Sequence, residues 1–309
     1  MIREIICLAF AKALEQAQSS GRLALPYSGD IAPLVLTPAL RREWGDFASP
    51  WALSLSASGG GSAGEIARAL SCELTILLSG AASVAVAPGG FINISLERQL
   101  LCKALQELHC LIPDLEKVDT KETAESDCRP DSSPASPGAA TAASVCSKQL
   151  EAIAKSKSFF AVQYAHAHLS ALIRQVREPL LNTSTLAREP PRLSAEQLSL
   201  FQEEYRSNWQ VFGSLFEKDA EVLHCTKRLI ILLDEVQMQI AAAVSKPQRE
   251  RLSGDLRELT KYVELFLKSP GIWESSLTLI RARLAVVLAA KTVLGNALQA
   301  LGEVVPEHL

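Results

Sequence analysis

Apolar residues recur at helical spacing over residues 4–17, at Ile5, Leu8, Ala9 and Ala13, which predicts an amphipathic opening helix. Gly21, Pro26, Gly29, Pro33 and Pro38 then interrupt the pattern around an extended run at 31–36. Helical periodicity returns over 65–70. Residues 83–86 and 91–96 read as two strands joined by Pro88-Gly89-Gly90, because glycine accepts the positive φ that a tight reversal needs. A helix over 100–111 closes this zone. Residues 74–96 carry no charge and are long enough to span a bilayer, but their glycines, Pro88 and β-branched residues suit buried strands better.

From about residue 112 to 150, large apolar residues nearly vanish and Pro, Ser, Ala, Thr, Asp and Glu dominate. Such a stretch cannot bury enough surface to offset its chain entropy, so a disordered linker is expected. Beyond it the pattern is helical almost throughout. Helices are expected over 159–176, 223–243, 252–267 and 276–301. Another should open at Ser194, with Gln197 as capping-box partner, and carry Leu198, Phe201, Tyr205, Phe212 and Phe216 as one stripe. The last helix should bury Leu284, Val287, Leu288, Leu294, Leu298 and Leu301. The fold class is therefore a small α+β N-terminal domain (1–111), a linker (112–150) and an all-α helical bundle (151–309).

Composition narrows the function. The chain has 309 residues, a net charge of -3 and 48% hydrophobic residues. A near-neutral chain is unsuited to coating nucleic acid non-specifically, though a local basic patch can still recognise one RNA. Seven cysteines without a Cys-x-x-Cys pair suggest reduced thiols in a cytoplasmic protein. Cys102, His109 and Cys110 lack a fourth metal ligand, and His166 and His168 point in different directions on a helix, so no metal is expected.

Other motifs carry little chemistry. Residues 59–64 fit both Gly-x-Gly-x-x-Gly and Gly-x-Ser-x-Gly, but no acid follows at nucleotide-site spacing and no triad partners are marked. A glycine loop between two helices is the simpler reading. Glu203-Glu204 and Asp234-Glu235 are adjacent acids that diverge on a helix, and read as solvated faces. No catalytic residues and no cofactor are expected.

Four strings go further. Arg42-Glu43-Trp44-Gly45-Asp46-Phe47, continuing to Ala52-Leu53, resembles the Gly-Asp-(Tyr/Phe) segment of the N-terminal additional domain of arginyl-tRNA synthetases. Pro88-Gly89-Gly90-Phe91-Ile92-Asn93-Ile94-Ser95-Leu96 resembles the Gly-Phe-Ile-Asn strand that ends the same domain. Val162-Gln163-Tyr164-Ala165-His166-Ala167-His168 is similar to the Val-Gln-Tyr-Ala-His-Ala-Arg signature opening that family's DALR anticodon-binding bundle, with His168 in place of the arginine. Residues 283–307 follow that bundle's last helix and tail. The family's catalytic domain lies between these modules, and its His-Ile-Gly-His motif has no counterpart here.

The resemblance implies a non-catalytic tRNA-binding protein. Phe91 would stack on a D-loop base and Asn93 would bond its edge. The bundle would meet the anticodon stem-loop through Tyr164, His166, Arg281, Arg283 and Lys291, with Lys155, Lys157, Arg174 and Arg177 on phosphates. The implied partners are tRNA, arginine tRNA among the candidates, and a protein such as a tRNA-acting enzyme; neither membrane nor DNA is implied. The alternatives are an interaction scaffold that has lost RNA, or a detached tRNA-binding subunit of a split synthetase.

Overall fold

The computed structural model describes residues 1–23, 33–39, 41–58, 61–112, 159–177, 195–216, 220–240, 242, 245–268 and 276–306. The expected linker, apart from Ile112, lies outside the described residues. So do Ser194 and the side chain of Gln197. The chain divides into two compact units, Met1–Ala104 and Leu105–Leu309.

In the first unit, helix α1 (Ile2–Ser19) buries Ile2, Ile6, Phe10 and the line Ala9, Ala13, Ala17. This stripe is rotated from the expected one: Leu8 is exposed and Ile5 only half-buried. The i, i+4 run ending at Phe10 takes the inward side, where Phe10 meets Trp51 edge to face at 5.8 Å. Strands β1 (Thr37–Pro38), β2 (Phe47–Ser49), β3 (Ala82–Ala87) and β4 (Phe91–Leu96) form an antiparallel sheet ordered β1-β2-β4-β3. The expected run over 31–36 contributes no described strand; its end instead holds neighbours through the Val35 and Leu36 carbonyls, which accept from Ser49 Oγ and from the Arg3 guanidinium.

The sheet buries Ile92, Ile94, Leu96 and Phe47 and packs against helices α2 (Trp51–Ala57) and α3 (Ala63–Leu77). A helix precedes the glycine loop, so the strand that a dinucleotide site or a serine elbow requires does not lead into it. Ser62 and Glu65 instead close a capping box at the start of α3. Bonds from Ser62 hold the Glu65 carboxyl below its ordinary pKa. Helix α4 (Arg98–Cys110) follows, and the boundary between the units falls within it.

The second unit is helical: the end of α4, then α5 (Phe160–Arg177), α6 (Ala195–Ser207), α7 (Ala220–Ile240), α8 (Lys246–Leu267) and α9 (Leu277–Leu301). The expected single stripe from Leu198 to Phe216 is broken at Asn208, whose side-chain oxygen accepts the Gln210 N–H. Phe212 and Phe216 therefore sit on a separate 3-10 helix, Trp209–Phe216, and both remain buried. Helix α9 is the core. Leu284, Val287, Leu288, Leu294 and Leu298 are buried on it as expected, whereas Leu301 is only half-buried in the final turn before Gly302. It is long and apolar enough to cross a membrane, and 67% of its most apolar stretch is buried within the fold. Asp234 is also buried, which corrects its reading as part of a solvated face.

The last turns of α4 enter this core. His109 is fully buried, 5.1 Å from the Tyr205 ring and 5.8 Å from the Phe212 ring. Its Nε2 donates to the Ala285 carbonyl at 2.9 Å, and its buried Nδ1 has no hydrogen-bond partner among the described residues. Arg206 donates to the His109 and Ile112 carbonyls at the end of α4, where the His109 carbonyl also accepts the Ile112 N–H at 3.2 Å.

Candidate nucleic-acid interface

Alternation along β4 places Phe91, Asn93 and Ser95 on the face opposite its buried residues. Phe91 is 39% exposed and Asn93 half-buried. Their cross-strand neighbours on β3 are small, Ala87 opposite Phe91 and Ala85 opposite Asn93. An aromatic ring and an amide thus stand about 7 Å apart along the strand with no bulky side chain directly opposite on β3. The turn before Phe91 is pinned from below. Gly90 has φ +87, and a Cβ there would lie 2.8 Å from Ala63 Cβ at the start of α3.

The Gly-Asp-Phe string holds the other end of β4. Gly45 has φ +90, and a Cβ on it would meet Ser95 Oγ at 2.5 Å and the Ile94 carbonyl oxygen at 2.7 Å. Glycine therefore lets the chain cross closely over β4. Asp46 bonds the strand twice: its N–H donates to the Ile94 carbonyl at 2.8 Å, and its carboxylate accepts the Leu96 N–H at 2.7 Å. Phe47 is fully buried beneath. This string builds the platform, and Phe91 and Asn93 are what the platform displays.

In the helical unit, α5 separates its side chains sharply. Gln163 and His166 turn inward and hold the C-terminal tail: Gln163 Nε2 donates to the Val304 carbonyl at 3.1 Å, and His166 Nδ1 to the Pro306 carbonyl at 2.9 Å. Gly295 on α9 leaves room for that imidazole, since a Cβ there would lie 3.1 Å from His166 Nε2. Outward, Phe160, Tyr164 and His168 form a ladder at i, i+4, i+8, with ring centroids 6.4 and 6.1 Å apart. Phe160 and Tyr164 are about half exposed, and His168 is exposed.

Residues 4–96 match the family described as the arginyl tRNA synthetase N terminal domain. Over these residues the chain is similar to arginyl-tRNA synthetases. A curated arginine–tRNA ligase of Symbiobacterium thermophilum is 30% identical to it over 150 residues, which make up 48% of this chain and 22% of that one. The chain thus spans about a fifth of the relative's length.

The sequence-predicted contacts fall into four groups. Phe91 and Asn93 share one open face, and Tyr164 is exposed. His166 and Arg283 are 2% and 3% exposed, so neither presents its side chain to a bound RNA. Tail closure accounts for His166, and burial pulls the Arg283 guanidinium below its usual pKa. Arg281, half-buried, lies over the Phe201 ring at 3.9 Å, and its carbonyl accepts the Tyr205 hydroxyl. Arg174 and Lys291 are half-buried. Lys155, Lys157 and the Arg177 side chain lie outside the described residues.

Sequence reading missed two exposed groups. Phe160 and His168 extend Tyr164 into a ladder, and their four-residue spacing was visible in the sequence. Trp44 is 38% exposed, with the Arg41 guanidinium 5.1 Å above its ring. Its position within a family-like string drew attention to Gly45 and Asp46 instead. Among the described residues, no group of His, Cys, Asp and Glu is arranged to hold a metal ion.

Proposed function

We propose that the chain is a non-catalytic tRNA-binding protein whose N-terminal domain, spanning 1–111, grips the D-loop and whose DALR-like bundle, 151–309, takes the anticodon stem-loop. The outward pairing of Phe91 and Asn93 carries this reading. A half-exposed ring with only alanine opposite on β3 leaves a face on which a base can stack, and an amide one strand-step away can bond a base edge. Each such stack contributes about 1–3 kcal/mol. The match over residues 4–96 to a tRNA synthetase domain supports RNA as the ligand, with arginine tRNA the first species to test. On the bundle, Tyr164 with Phe160 and His168 offers stacking surface for loop bases, and Arg174, Lys155 and Lys157 would meet phosphates. The non-catalytic reading rests on the sequence, which contains no His-x-Gly-His string. Its setting would be the cytoplasm, beside a tRNA-acting enzyme.

A gel-shift titration of the full chain with unfractionated tRNA tests this reading. Binding should weaken steeply with salt. It should also fall by more than tenfold in the double variant Phe91→Ala, Asn93→Ala. Undiminished binding by that variant removes the D-loop contact. Absence of binding by the wild type at low salt favours the interaction scaffold, which the burial of Arg283 and His166 already makes the stronger alternative for the bundle. Arginine-dependent ATP–pyrophosphate exchange by the chain alone would overturn the non-catalytic assignment.

A further inference from the structure

The N-terminal domain carries a second exposed aromatic that the Phe91–Asn93 contact does not use. The 3-10 turn Arg42–Trp44 packs against β4, and Gly45, the next residue, crosses the strand against Ser95 and Ile94. Trp44 and its arginines therefore sit at the Ser95 end of the strand that displays Phe91 at its start. Four residues of strand separate these ends, about 13 Å, with Asn93 midway on the same face. The Arg41 guanidinium lies over the Trp44 ring, 5.1 Å from its centroid, a cation–π contact. Arg42 is exposed beside it. Glu43 approaches Arg41 at 3.7 Å, but both side chains are 66% exposed, so the pair is weak and the turn stays net positive.

We infer that Arg41, Arg42 and Trp44 form a second nucleotide subsite, which takes an unpaired neighbour of the nucleotide held at Phe91 and Asn93, in the same RNA loop. The inference rests on the RNA-binding reading above and extends it. Bases stack on aromatic rings and on arginine guanidinium planes alike, and this site places one of each side by side. Arg42 supplies the charge for the connecting phosphate and positions the backbone without reading sequence. The two stacking points, with an amide between them, would distinguish an open loop from a duplex, whose bases are not splayed.

Filter binding of the full chain is the test. The probes are unfractionated tRNA and a tRNA-derived RNA lacking the D arm, titrated across about 50–200 mM salt. Trp44→Ala should raise the Kd for tRNA about 5- to 100-fold, and Trp44→Phe should recover most of the loss. Arg42→Gln should reduce the salt slope by about one. Both losses should vanish on the RNA without a D arm. These side chains are exposed, so the far-UV circular dichroism and urea midpoint should match the wild type. If Trp44→Ala binds normally while the Phe91–Asn93 double variant is impaired, the subsite is overturned and the parent reading stands. Equal loss on the RNA without a D arm overturns it too. Failure of the wild type to bind tRNA at low salt removes both.

Discussion

Lowering the pH from 7 to 5 should weaken the helical unit through one residue, His109. Its imidazole is buried among Tyr205, Phe212 and Ala285. Loss of hydration holds its pKa down at about 4, and the nearby Arg206 charge adds to the depression, while the bond to the Ala285 carbonyl opposes it. The ordinary value is 6.5. A base whose folded pKa is depressed is protonated first in the unfolded chain. Its contribution is complete above pH 6.5 and is lost as the pH falls from 6.5 towards 4. The full difference corresponds to about 3 kcal/mol, and about 2 kcal/mol of it is lost between pH 7 and pH 5. The variant His109→Gln keeps an N–H for the Ala285 carbonyl and does not titrate. Urea unfolding followed by far-UV circular dichroism at each pH gives the comparison. Carboxylates titrate in both proteins, so the difference between them isolates His109. The wild type should lose about 2 kcal/mol more than the variant over this interval. Parallel pH profiles would refute the claim that a buried neutral imidazole sits in this core.

Gly45→Ala should destabilise the N-terminal unit by at least about 1–3 kcal/mol, because φ is positive and backbone blocks the new methyl; an unchanged urea midpoint would contradict the close crossing. Gly295→Ala should push on His166 and weaken its bond to the Pro306 carbonyl by about 1 kcal/mol, detected as faster carboxypeptidase trimming of the tail. Iodoacetamide at pH 8 should label the exposed Cys72 and Cys110 well before the buried Cys102, whose thiol burial pushes up to about 12; mass spectrometry after short exposure decides it, and early labelling of Cys102 would count against the packing of α4.

Much of this architecture is legible in the sequence, because its signals are local. The alternation 91–96 places Phe91 and Asn93 outward, and the Pro-Gly-Gly turn marks the reversal before them. Helices α5, α7, α8 and α9 follow from periodicity. Other features depend on partners far along the chain. His166 looks like a surface signature residue until the Pro306 carbonyl, 140 residues on, claims it. The inward side of α1 is set by what packs on Phe10, and Trp51 lies 41 residues away. The break at Asn208 comes from a side chain competing for a backbone N–H, which hydrophobic periodicity does not register. Asp234 follows the buried apolar run 229–233 of α7, and the adjacent charge of Glu235 hid its burial.

The tail clamp separates two kinds of information carried by one short string. Gln163 and His166 grip main-chain oxygens, so the clamp fixes the path of the backbone at 304 and 306 and does not read the side chains there. A chain that abandoned RNA altogether would still need both residues to fasten its terminus. Their presence therefore certifies a way of closing the helical fold, while the outward rings of Tyr164 and His168 are the letters on which a nucleic-acid ligand would leave its mark.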